Sequence, residues 1–184
     1  MTAPPPDERA TLSRLTRGLR MVAASLPHLS GLAAAVRLAV DDGVPTMGVF
    51  ASGRLVANRG FTAKLSNPDL VFVLAHELLH LALRTHDRAV GSSRLEFNYA
   101  HDYIINDMLR HALGYEKIPA GGLDMAGARE KSAEEIVLEM RRNANTSART
   151  QVWGGEIVSI SEAIGKGRQS SAEQAGDVLD AGRE

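Results

Sequence analysis

Apolar residues return along this chain at two periods, and the change of period divides it into elements. Leu12, Leu15, Leu19 and Val22 recur at steps of three and four with arginines on the other faces, which predicts an amphipathic helix over residues 7–26. Asp7 and Glu8 suit its first turn, and Pro4, Pro5 and Pro6 ahead of them predict a loose, disordered leader over residues 1–6. Pro27 interrupts the pattern. Residues 29–40, rich in alanine and leucine, are expected to form a second helix ending before Asp41-Asp42-Gly43. The period then drops to two: residues 46–50 and 55–58 are short β-prone runs joined by Ala51-Ser52-Gly53-Arg54, which predicts a small antiparallel hairpin.

The longest apolar run, residues 70–83, is too long for one strand. Ser66 or Asn67 can cap a helix ahead of it, Pro68 fits a first turn and Asp69 complements the helix dipole, so residues 68–84 are expected to be helical. Being apolar on nearly all sides, that helix belongs at the centre of the domain. Gly91-Ser92-Ser93 ends a polar turn, residues 94–113 predict a further helix stopped by Gly114, residues 115–131 are mainly loop, and residues 132–142 predict a short helix. From Asn143 the chain is polar and rich in small residues, apart from a weak stripe at Ile157, Ile160 and Ile164, so residues 143–184 are expected to be a linker or partly disordered tail. The expected architecture is one α+β domain over residues 7–142, mainly helical, with an antiparallel hairpin beside a buried central helix.

Composition narrows the chemistry more than the fold. Lysine and arginine total 21 against 22 acidic residues, so nothing advertises a nucleic-acid or anionic-membrane partner. The start lacks the layout of a signal peptide and no apolar segment is long enough to span a bilayer, so the expected location is cytoplasmic. There is no cysteine, so disulfides are excluded and any metal must be held by imidazole or carboxylate.

Within the central run lie His76, Glu77 and His80, as HELLH. Two histidines four residues apart share one helix face, one turn along the axis, and can reach one ion, while Glu77 points toward the coordination position left for a water. Such an ion lowers the pKa of its water toward about 7 and lets a nearby carboxylate take the proton, which is the chemistry of peptide or amide hydrolysis. A solvated helix face would also accommodate these residues. Val73, Leu74, Leu78, Leu79, Leu81 and Leu83 surround them instead, and unpartnered polar groups there would cost several kcal/mol.

Two histidines do not complete a site. His86 lies ten residues beyond His76, but Leu83 stands where a glycine would turn the chain back, and a helix running on to Arg84 aims His86 away from the ion. The other source is the helix over residues 94–113, where Leu95, Asn98, Asp102, Ile105 and Leu109 fall on one stripe with Asn106 a turn after Asp102. Asp102 is the favoured third ligand, ahead of His86, with His101 and Glu96 behind. Asp102 can alternatively accept a hydrogen bond from a ligand histidine, and Asn98 and Asn106 can tie the two helices together. Tyr99, Tyr103 and His111 are candidates for oxyanion stabilisation, although aromatics at helical spacing are more often core.

HELLHLALRTHDR, followed by FNYAHDYIINDML and SAEEIVLEM, resembles the bacterial metallopeptidase domain of the DUF2201 N-terminal family, a group of HExxH zincins, over residues 7–142. The resemblance implies a zincin-like fold in which a hairpin flanks the active-site helix, and Asn98, Asp102 and Asn106 match the family's N-x-x-x-D-x-x-x-N mark. It also implies partners beside a peptide or protein substrate, since members often continue into a von Willebrand A-like domain and are associated with MoxR-type AAA+ ATPases. The expected function is zinc-dependent hydrolysis of peptide bonds, with His76, His80 and Asp102 holding Zn2+ and Glu77 as general base. The competing expectation is a non-catalytic, metal-containing scaffold or adaptor for an AAA+ partner, a role with no need of Glu77.

Overall fold

Asp7 caps the first helix, α1 (Glu8–Ser25), by accepting the Ala10 backbone N–H at 2.6 Å, and the apolar steps of this helix bury Leu15, Leu19 and Val22. The structure, a computed structural model, describes residues 7–85 and 94–143. The expected leader, the Gly91-Ser92-Ser93 turn, His86 and the tail beyond residue 143 lie outside the described residues.

A 3-10 turn, Pro27–Leu29, leads into α2 (Ser30–Ala35). Here the single helix expected over residues 29–40 is corrected. Val36 turns to extended backbone and Arg37–Val40 forms strand β1. β1 pairs in parallel with β3 (Arg54–Ala57), which pairs antiparallel with β2 (Met47–Val49), giving the order β1-β3-β2. The expected hairpin is therefore β2–β3, and the sheet is mixed because a third strand joins it. The physical reason is tertiary. Helix propensity separates residues by only a few tenths of a kcal/mol each, whereas pairing in register with β3 satisfies the backbone of both strands and lets Val36 and Leu38 pack on the core.

Asn58 ends β3 and caps α3 (Arg59–Lys64), accepting the Phe61 N–H at 2.8 Å while its amide donates to the Val44 carbonyl at 2.9 Å. Ser66 caps the central helix, α4 (Asn67–Ala82), accepting from Asp69 N–H at 3.1 Å, and every residue from Leu70 to His80 is buried. α1 packs directly on α4. A Cβ at Gly18 would come within 2.5 Å of Leu74 Cδ1, so the absence of a side chain there sets how close the two helices lie. Arg14 of α1 also donates to the carbonyls of Thr62 and Leu65 just ahead of α4.

The helix α5 (Arg94–Leu113) crosses α4 and serves two cores. Ile105 and Leu109 join the main cluster of α1, α4 and the sheet, whereas Phe97 and Ala100 pack with Ala128, Ala133, Ile136 and Val137 under the last helix, α6 (Ala133–Asn143). Between α5 and α6, the connection is pinned by buried Asp107, which accepts from the Arg129 backbone N–H and Nη1, each at 3.2 Å, and from Arg110 Nη2 at 2.6 Å. Six α-helices and one three-stranded sheet among the described residues make the class α+β, mainly helical. No helix among them is long and apolar enough to cross a membrane.

Candidate metal centre

His76 and His80 stand one turn apart on α4 with their rings edge to face, centroids 4.7 Å apart, and their Nε2 atoms 3.0 Å from each other. Asp102 enters from α5, with Oδ1 3.0 Å from His80 Nε2 and 3.4 Å from His76 Nε2. All three are at most 2% exposed. The stripe on α5 accounts for the approach, since Asn98, Asp102, Ile105 and Leu109 are all buried on the face turned to α4.

The outer ring nitrogens are also held. Asn106 Nδ2 donates to the Leu123 carbonyl at 2.9 Å, which turns the carboxamide oxygen to His76 Nδ1 at 2.8 Å. That bond makes the neutral His76 ring an Nδ1–H tautomer with its Nε2 lone pair facing the trio. His80 Nδ1 lies 3.0 Å from Thr85 Oγ1. Thr85 reaches it because α4 ends at Ala82 and Arg84 takes left-handed backbone, φ 49°, so the helix expected to run to residue 84 stops short and the chain turns back.

Glu77 is buried beside the trio. The Val49 backbone N–H on β2 donates to its carboxyl, and Oε2 has no hydrogen-bond partner among the described residues. Burial, reinforced by the charge of Asp102 and opposed by His76, pushes this carboxyl up to about 8. Burial would likewise raise Asp102, but the imidazoles of His76 and His80 beside it outweigh burial and hold the carboxyl below the usual range. The imidazoles divide. Burial pushes both down; in His76 the adjacent Asp102 wins and the ring is raised, while His80, repelled by His76, falls to about 4.

These residues fit a divalent ion. Donors at zinc-like distances in a tetrahedral shell lie about 3.3 Å apart, and the three separations here are 3.0, 3.0 and 3.4 Å. Two nitrogen lone pairs and a carboxylate oxygen facing one another in a dry pocket repel unless a proton or cation lies among them. No lysine or arginine among the described residues pairs with Asp102 or Glu77. Among those residues, His76, His80 and Asp102 form a group whose ligand atoms all lie within 4.8 Å of one another.

The other candidates are placed elsewhere. His101 is buried on α5 but donates from Nδ1 to the Phe97 carbonyl at 2.8 Å and stands outside the trio. Glu96 pairs with Arg141 on the surface, His111 is exposed, and Asn98 reaches Asp102 Oδ2 only at 3.5 Å. Tyr99 and Tyr103 are partly buried on α5, where burial and the charge of Asp102 raise their phenols. Sequence reasoning missed Thr85, the Leu123 carbonyl and the Val49 N–H. The threonine in RTHDR was visible, but nothing in the sequence marks the turn that delivers it.

No curated protein and no solved structure matches this chain. A family model described as "Putative metallopeptidase domain" matches residues 11–181, a span that takes in both helices of the centre. On that match the chain belongs to the DUF2201 N-terminal family.

Proposed function

We propose that this protein is a zinc-dependent peptidase of zincin-like architecture, in which His76 and His80 of α4 and Asp102 of α5 hold the ion and Glu77 is the general base. The observation that carries the reading is a three-donor set beside a buried glutamate whose Oε2 is unpartnered among the described residues. A site built only to hold a metal has no use for that carboxyl. The bound ion supplies Lewis acidity, polarising the substrate carbonyl and lowering the pKa of a water. Glu77 takes the proton of the attacking water at Oε2 as the C–O bond forms, and passes it to the amine nitrogen as the C–N bond breaks. Val49 holds the carboxyl from the side of β2. That strand is an edge of the sheet, where an extended peptide can add by backbone hydrogen bonds. A MoxR-type AAA+ ATPase or a von Willebrand A-like protein is the proposed partner.

The test is metal analysis together with a general peptide substrate on the wild type and Glu77→Gln. Both should retain zinc, and the substitution should lower cleavage by about 10²–10⁴-fold. Zinc retained in both with no cleavage by the wild type across a broad peptide panel would sink the peptidase reading. A metal-containing scaffold for an ATPase partner would then stand in its place.

A further inference from the structure

The two rings of the centre are held differently at their outer nitrogens. His80 meets the hydroxyl of Thr85, which can donate or accept and so leaves either tautomer open. His76 meets a carboxamide whose NH2 is already committed to the Leu123 carbonyl. Turning that amide over would set its oxygen against a carbonyl oxygen 2.9 Å away, and with Asn106 at 1% exposure no solvent stands ready to relieve the clash. Asn106 can therefore only accept from His76.

We infer that Asn106 is a positioning residue that locks His76 in the tautomer able to ligate, and that the loop over residues 115–131 sets this lock through the Leu123 carbonyl. The inference rests on the metal-centre reading above. With a proton on Nε2 instead, His76 would point a hydrogen into the trio and could not ligate. The loop is suited to the task because it is anchored to α5, the helix that carries Asn106. Asp124, next to Leu123, pairs with Arg110 at 3.1 Å, and Arg129 further on is held by buried Asp107. A displacement of the loop would reach the centre as a loosened His76.

The test compares wild type, Asn106→Ala and Asn106→Asp by imidazole nitrogen resonances of the metal-free protein, zinc affinity in chelator competition, and metal-free thermal unfolding. Wild-type His76 should be the Nδ1–H tautomer. Asn106→Ala should mix the tautomers and weaken zinc by about 10–100-fold. Asn106→Asp keeps an acceptor at His76 Nδ1 and should keep the tautomer and zinc binding, but it sets a second oxygen against the Leu123 carbonyl and should lower the melting temperature. A lower melting temperature in Asn106→Ala with tautomer and affinity unmoved would show a merely structural residue and overturn the inference. So would an Nε2–H His76 in the wild type, which decides the matter even if the alanine variant does not fold. Failure of the wild type to take up zinc would remove the metal reading separately, while the tautomer comparison still judges the lock.

Discussion

Arg84 carries the sharpest backbone constraint near the centre. At φ 49° it is the one non-glycine residue on left-handed backbone among those described, a conformation that costs an L side chain about 1–2 kcal/mol. The turn it makes returns Thr85 to His80. Arg84→Gly should therefore be more stable than Arg84→Val by about 1–2 kcal/mol in denaturant unfolding, since both lose the guanidinium and only valine resists the turn. Equal stabilities would mean that the turn relaxes at no cost. The same residue explains the limits of reading this site from sequence. The convergence of His76, His80 and Asp102 was legible, because helical spacing puts the histidines on one face and the α5 stripe points Asp102 at them. Apart from Asn106, the groups that orient them and Glu77 were not. Two are backbone groups, of Leu123 and Val49, which have no residue signature, and the third depends on a left-handed turn that no glycine announces.

Among the elements, those fixed by local signals were legible and those fixed by distant partners were not. α1, α4, α5, α6 and the β2–β3 hairpin follow from periodicity and caps, whereas β1 exists only because β3 offers it an edge, and its sequence, RLAV, reads as a continuation of the alanine-rich helix before it until that partner is known. The connection from α5 to α6 is of the second kind, since its glycines and proline say loop but not where the loop is fastened. Asp107 does the fastening. Burial alone would raise its carboxyl; the Arg129 N–H and the two guanidinium groups outweigh burial and hold it below the usual range. A carboxyl lowered on folding stabilises the fold above its unfolded pKa, and that stabilisation is lost as pH falls through the folded value. Asp107→Asn should therefore cost about 2–3 kcal/mol at pH 7 and progressively less as the pH is taken below about 4. Urea unfolding of both proteins at pH 7 and pH 3 checks this. A gap of the same size at both would show that the carboxylate charge is not what pins the loop.

On the scale of the molecule, the candidate centre sits where the two cores meet. His76 and His80 belong to α4, buried in the main cluster, and Asp102 belongs to α5, which reaches from that cluster into the one beneath α6. An ion shared by the two helices ties the cores together, and its binding free energy adds to the stability of the whole fold because the unfolded chain has no such site. Free zinc at about 100 times its dissociation constant should stabilise the domain by about 2.7 kcal/mol, which at this chain length raises the melting temperature by about 5–10 °C. A chelator should reverse the rise. Removal should also expose α6 amides to hydrogen exchange more than α1 amides, since α1 packs on α4 independently of α5 while α6 packs on α5 itself. Asp102→Ala separates a ligand from a neighbour that merely hydrogen-bonds the histidines. As a ligand, its loss leaves two imidazoles, and zinc at the same concentration no longer shifts the melting temperature. If the variant keeps the full shift, Asp102 is not part of the ion's shell and the two cores are not joined through it.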